Sequence, residues 1–202
     1  MKEVGLPVVI RAPQADETIH YKVSPRRLAA QIAREKAESL AGHHIPAIII
    51  AADTIVVAPD GKTVFGKPRN VGDAARMLRT LSGREHTVHT AYCILQTGTP
   101  RPKRILRVIT SRVRVRKLTT ADIRNYIATG EPMDKAGAYA AQGCGMALIE
   151  SIRGSYTNVV GLPMAQLLAD LEFEFGLPLF ALFQRKRKKP KARRKGVRVQ
   201  HV

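Results

Sequence analysis

Glu131-Pro132-Met133-Asp134-Lys135-Ala136-Gly137-Ala138-Tyr139-Ala140-Ala141-Gln142-Gly143 is the most informative run of this chain. Its thirteen residues mix glycine, charge and amide without a hydrophobic run, which makes poor core material. Gly137 and Gly143 let the backbone approach a ligand closely, Asp134 and Lys135 supply charge, and the Gln142 side chain can donate and accept at once. The composition is that of a site-forming loop.

Upstream, Ile48-Ile49-Ile50 is a β-branched run that reads as a buried strand. Asp53, in Ala52-Asp53-Thr54, is expected at its end, ahead of Ile55-Val56-Val57. A carboxylate there requires a metal, a lysine or water, because burying an unpaired charge is costly. Gly66-Lys67-Pro68 follows a Pro59-Asp60-Gly61 turn, and the proline biases Lys67 toward extended backbone, which fixes where its ammonium points. Leu28, Ile32 and Lys36 fall at i, i+4 and i+8 of a helix headed by Ser24 as N-cap and Pro25 as first helical residue. Lys36 therefore shares the apolar side and can extend its ammonium from it. Asp73 through Leu81-Ser82-Gly83 reads as an amphipathic helix ending at glycine. Strand-like runs (8–10, 48–50, 87–95, 104–115, 146–149) alternate with helical ones (25–40, 71–81, 119–128, 163–173), an α/β pattern. From Arg112 the run Arg112-Val113-Arg114-Val115-Arg116 reads as a strand with one basic face.

These residues suit attack on a phosphoric anhydride, which needs phosphate charge neutralised and water activated. Asp53 is the candidate general base or metal ligand. Lys36 and Lys67 are candidate phosphate contacts, as point charges. Thr54 and Gln142 are candidate contacts to a base, and Lys135 is assigned either to substrate or to Asp134.

The quoted loop closely resembles the GEPxDKAGAYxxQG signature of the Maf family of nucleoside triphosphate pyrophosphatases. Ala52-Asp53-Thr54, Gly66-Lys67-Pro68, Glu35-Lys36-Ala37 and Gly154-Ser155-Tyr156-Thr157-Asn158-Val159-Val160-Gly161-Leu162-Pro163 match that family in order, so that the resemblance spans residues 4 to 175. It implies hydrolysis between the α- and β-phosphates of nucleoside triphosphates, with a divalent cation (Mg²⁺ or Mn²⁺) as cofactor. Its DKAGAY and QG elements are similar to those of the subfamily acting on dTTP and UTP. The implied fold is a curved mixed β-sheet flanked by helices, shared with inosine triphosphate pyrophosphatases, in two lobes with a cleft, and a homodimer. Glu17 matches an acidic family position and would be a second metal ligand beside Asp53. The family opens with a strand and a Ser-x-Ser-Pro-Arg-Arg loop, whereas Met1 to Pro7 here resembles the segment after them. Ser24-Pro25-Arg26-Arg27 falls instead where the family has an ordinary helix start. The alternative expectation is a catalytically impaired Maf-like protein that binds nucleotide or docks on nucleic acid.

With 202 residues and 45% hydrophobic content the chain can bury one good core. Residues 1–180 are expected to form the pyrophosphatase-like domain and 181–202 a basic, disordered tail. From Arg185 to Arg198 ten of fourteen residues are Lys or Arg, supplying ten of the +18 net charges; such a block suits nonspecific contact with nucleic acid. From Arg185 to Val202 there is no aromatic residue for stacking on bases. Two cysteines, Cys93 and Cys144, support neither a disulfide scaffold nor a zinc site. The chain shows no signal peptide and no membrane-spanning apolar stretch, so a cytoplasmic location is expected.

Overall fold

The computed structural model describes residues 8–13, 23–41 and 46–178. Glu17 and the 181–202 tail lie outside the described residues. The chain divides into two compact units, Arg11–Leu167 and the terminal pair Met1–Ile10 with Leu168–Val202.

The larger unit is built on a sheet of five strands in the order β2-β1-β3-β4-β5. These are β1 (Ala47–Val57), β2 (Val64–Phe65), β3 (Glu85–Thr97), β4 (Arg104–Val115) and β5 (Ile149–Arg153). Every pairing is antiparallel, so the sheet, among the described residues, is antiparallel where a mixed one was expected. Short hairpin connections account for much of this: β1 turns into β2 at Ala58–Gly61, and β3 into β4 around Gly98. The helices are α1 (Pro25–Glu38), α2 (Val71–Leu81), α3 (Thr120–Ala128), α4 (Tyr156–Val160) and α5 (Met164–Phe175).

Strand alternation divides the core into two layers. On one face α1 lays Leu28, Ala29, Ile32 and Ala33 against Ile55, Val57 and Ala91. On the other, Ala74, Met77, Leu78 and Leu81 of α2 and Ile123, Tyr126 and Ile127 of α3 cover Val56, Val88, Val113 and Val115. Each helix start follows from its local chemistry. Pro25 stands at the first position of α1, although the Ser24 hydroxyl makes no capping hydrogen bond. The Asn70 side chain accepts from the Asp73 N–H of α2, and Thr119 with Asp122 forms a reciprocal capping box on α3.

Several expected boundaries move. Residues 8–10 form no strand, and Val9 and Ile10 are exposed; β-branched composition alone does not make a strand without a ladder partner. The expected strand at 146–149 starts only at Ile149, because Gly143–Leu148 is coiled as a 3₁₀ helix. Asp53 is not at a strand end: β1 continues four residues beyond it, to Val57. The alternating basic face of β4 is present, with Ser111, Val113 and Val115 buried and Arg112 and Arg114 exposed.

Within the terminal unit, the end of α5 is closed by Gly176 and Leu177, whose N–H groups donate to the carbonyls of Glu172 and Leu171. Gly176 takes the left-handed conformation that such a cap uses.

Candidate functional site

Asp53 and Thr54 are consecutive residues of β1, so their side chains leave the strand on opposite faces. On the α1 face, Asp53 meets Lys36, whose ammonium donates to Asp53 Oδ1 at 2.8 Å. Both side chains are mostly enclosed, 14% and 16% exposed for Lys36 and Asp53. The helical stripe that seats Leu28 and Ile32 on the sheet thus also delivers a charge-assisted hydrogen bond to a strand carboxylate. Removing either partner would take this ion pair from a largely enclosed charge.

On the opposite face Thr54 lines a cavity of about 220 Å³ with Lys67, Lys135, Tyr139 and the Val159–Gly161 segment. An adjoining hollow carries Gln142 and shares Lys135, Ala141, Val159 and Val160 as its wall. Lys67 reaches this cavity because β2 pairs with β1 through Val56↔Phe65 and Val57↔Val64. No strand among the described residues pairs with the outer edge of β1 from Ala47 to Ile55.

One carboxylate gathers the two ends of the loop after α3. Glu131 accepts from the Cys144 and Gly145 N–H groups at 2.8 Å each and from the Tyr126 hydroxyl at 2.9 Å. Partial burial pushes this carboxyl up, but the three donors outweigh it and hold it below the ordinary glutamate range. Tyr126 in turn accepts the Ala140 N–H at 3.1 Å, so both ends of the Ala140–Gly145 turn that carries Gln142 are fixed. Gly143 has φ +64°, and a Cβ there would run into the Glu131 carboxylate. Gly137, at φ +74°, lies so close to Val56 of β1 that a Cβ would sit 2.9 Å from its Cγ1. Lys135 pairs with Asp134 at 2.5 Å while still lining the cavity.

Beneath the cavity, Tyr139 shares a 2.8 Å hydrogen bond with His86 Nε2 in an edge-on ring contact. Burial pulls His86 down to about 4, so its imidazole is neutral near pH 7. Asn158 of α4 is fully buried and ties three strand positions together, accepting from the Thr90 N–H and donating to Val88 O and to Ser111 Oγ. The Thr90 hydroxyl lies 2.9 Å from that of Thr54.

The structure therefore brings the sequence-derived residues together as two groups. Lys36 and Asp53 form one; Thr54, Lys67, Lys135 and Gln142 form the other, across the thickness of β1. Among the described residues no three His, Cys, Asp or Glu side chains gather in a metal-ligating cluster. Cys93 is buried and Cys144 exposed, both as free thiols. No helix among the described residues is long and apolar enough to cross a membrane. Sequence reading missed Glu131, Thr90 and His86. Glu131 stood inside the quoted loop with no role assigned, and its three-donor geometry has no local signature. Thr90 and His86 sit in a long strand, where only the β1–β3 register and the packing of the loop reveal them.

Comparisons with known proteins show what the chain is similar to. A dTTP/UTP pyrophosphatase of Anaeromyxobacter dehalogenans (strain 2CP-1 / ATCC BAA-258) is 43% identical over 179 residues, 89% of this chain and 89% of that protein. The dTTP/UTP pyrophosphatase of Dictyoglomus thermophilum is 42% identical over 168 residues, 83% of this chain and 85% of its own. That of Carboxydothermus hydrogenoformans is 43% identical over 171 residues, 85% of this chain and 89% of its own. The family model described as Maf-like protein matches residues 1–173, a span that takes in both groups on β1 and the loop behind them, and the chain belongs to the Maf family.

Proposed function

We propose that this protein hydrolyses pyrimidine nucleoside triphosphates, dTTP and UTP, to the monophosphate and pyrophosphate. Water attacks the α-phosphorus, the bond to the α,β-bridging oxygen breaks, and pyrophosphate carries the leaving electron pair. The observation that carries the reading is the placement of Asp53–Lys36 and the Thr54 cavity on the two faces of one strand at consecutive positions. A nucleotide whose base enters the Thr54 cavity can pass its phosphates over the outer edge of β1 to Lys36 and Asp53. Lys67, which lines the same cavity as Thr54, neutralises phosphate charge at the crossing. The apolar walls at Val56 and Val88 tolerate the thymine methyl group, consistent with a shared site for dTTP and UTP.

Asp53 takes the proton of the attacking water or holds a divalent cation, Mg²⁺ or Mn²⁺. One enclosed carboxylate fits such an ion, since Mg²⁺ is commonly held by one or two carboxylates together with substrate phosphate oxygens. When bound, the cation withdraws charge from the phosphate oxygens. Lys36 orients Asp53 and, in the complex, meets phosphate. Gln142 and Lys135 contact the base. The same reading takes the protein as a cytoplasmic homodimer whose basic tail makes nonspecific contact with nucleic acid.

The test is pyrophosphate release from dTTP, UTP, CTP, GTP and ATP with Mg²⁺ or Mn²⁺. Turnover led by dTTP and UTP, and cut by about 10² or more in Asp53→Asn, is expected from loss of a general base. Five intact triphosphates would instead point to a nucleotide-binding descendant without catalysis.

A further inference from the structure

The hydrogens around Asn158 can be assigned one by one. Its amide nitrogen faces the Val88 carbonyl at 3.2 Å, which can only accept, and its amide oxygen faces the Thr90 N–H at 3.2 Å, which can only donate. The side-chain orientation is thereby fixed by partners with no choice of role. The second amide hydrogen goes to Ser111 Oγ at 2.9 Å, and Ser111 passes its own hydrogen to the Ser155 carbonyl at 2.9 Å.

Thr90 is committed in the same way. Its hydroxyl donates to the Asn158 main-chain carbonyl at 2.7 Å. A hydroxyl has one hydrogen, so in the 2.9 Å contact between the Thr90 and Thr54 hydroxyls Thr54 must be the donor. Thr90 and Asn158 are fully buried, so no water competes for the Thr90 hydrogen and its direction is fixed. Thr54 then offers the ligand only oxygen lone pairs. Gly161 leaves the hydroxyl uncovered: a Cβ there would stand 3.5 Å from Thr54 Oγ1, on a backbone at φ +117°.

We propose that Thr90 and Asn158 are positioning residues that turn Thr54 into a hydrogen-bond acceptor toward the cavity, selecting bases with a donor at N3. Uracil and thymine carry N3–H between two carbonyl oxygens; cytosine presents a bare N3 acceptor and replaces one carbonyl by an amino group. Lys135, which shares the cavity with Thr54, and the Gln142 amide of the adjoining hollow can both donate, and suit the two carbonyls. Asp134 also lines the cavity, with its carboxylate engaged by Lys135. A site built to pair with one hydrogen rejects the analogue lacking it, because its own polar group is then left unmatched.

This inference rests on the reading of Thr54 as a base contact, and the experiment separates the two. The kcat and KM for UTP and CTP are measured for the wild type, Thr54→Val, Thr90→Val and its conservative control Thr90→Ser, with folding checked by thermal melting. N3-methyl-UTP is run on the wild type alone. Thr90→Val should lower the UTP-over-CTP ratio of kcat/KM at least about tenfold, mainly through KM, and Thr90→Ser should restore it. The wild type should disfavour N3-methyl-UTP by a similar factor. A folded Thr90→Val with the wild-type ratio overturns the proposal. So does wild-type enzyme that treats N3-methyl-UTP as UTP, a result that needs no variant to fold. If Thr54→Val leaves UTP kinetics untouched, the base-contact reading falls and the inference with it. If no triphosphate is cleaved by the wild type, the pyrophosphatase reading itself is what has failed, and the inference has no reaction to act on.

Discussion

Asp53 shows how much one residue's meaning depends on what lies across from it. A carboxylate in mid-strand is unfavourable by propensity, and it persists because Lys36 arrives from α1 at 2.8 Å. Lys36→Met should therefore do two things: remove a phosphate contact, lowering turnover, and take away the 2.8 Å ion pair with Asp53, lowering stability by up to about 3 kcal/mol. Urea unfolding of Lys36→Met beside the double variant Lys36→Met/Asp53→Asn measures this. The double variant should recover part of the lost stability and none of the activity; equal stability of the two would mean that the Asp53 charge costs nothing once Lys36 is gone. At Gly143 the left-handed backbone and the Glu131 carboxylate both exclude a side chain. Gly143→Ala should raise KM for UTP with a smaller change in kcat, because the turn carrying Gln142 is displaced while Asp53 and Lys36 are untouched. An unaltered KM would remove that turn from the binding site.

Among the elements, the 131–145 loop depends strongly on one carboxylate. Glu131 satisfies two backbone N–H groups and one hydroxyl, and leaving these unmatched costs about 1–3 kcal/mol. Glu131→Ala is expected to lose stability of that order and to flatten the preference among bases, with Glu131→Gln retaining part of both; thermal melting and the five-triphosphate panel read the two effects. Underneath, His86 makes the junction of β3 with the loop sensitive to acid. Its folded value of about 4 lies below the ordinary 6.5, so between these values the unfolded chain binds a proton that the folded chain refuses. Stability from this residue is complete above about pH 6.5 and falls as pH drops toward 4, by up to about 1.4 kcal/mol per pH unit. Replacing it by His86→Gln should make the urea midpoint fall less steeply between pH 7 and 4.5. An identical slope would show that His86 does not set the acid response.

At the scale of the whole molecule, the α/β character was legible because the helical stripes and strand alternation are strong: α2 was bounded at 71–81, and 104–115 was read as a strand. The Asp53–Lys36 partnership was partly legible, since Leu28, Ile32 and Lys36 share one helix side. Its division from Thr54 was not, because the length of β1, and hence the alternation of positions 53 and 54 within it, appears only once β3 pairs along the whole strand. Thr90, Asn158 and Ser111 meet across 47 and 68 residues of sequence, a distance that no local pattern reports. Removing residues 185–202 should spare nucleotide hydrolysis yet weaken retention on heparin at low salt, with the difference vanishing at high salt; unchanged retention would exclude the tail as a polyanion contact.

The central claim is that one nucleotide straddles β1, base on the Thr54 face and phosphates on the Lys36–Asp53 face. A crystal structure with the non-hydrolysable analogue α,β-imido-UTP and Mg²⁺ tests it most directly. The account predicts the uracil within hydrogen-bond distance of Thr54 Oγ1 and the α-phosphate within reach of Asp53 and Lys36 around the strand's outer edge. An analogue lying wholly on one face of β1, with the other group of residues unengaged, would contradict it.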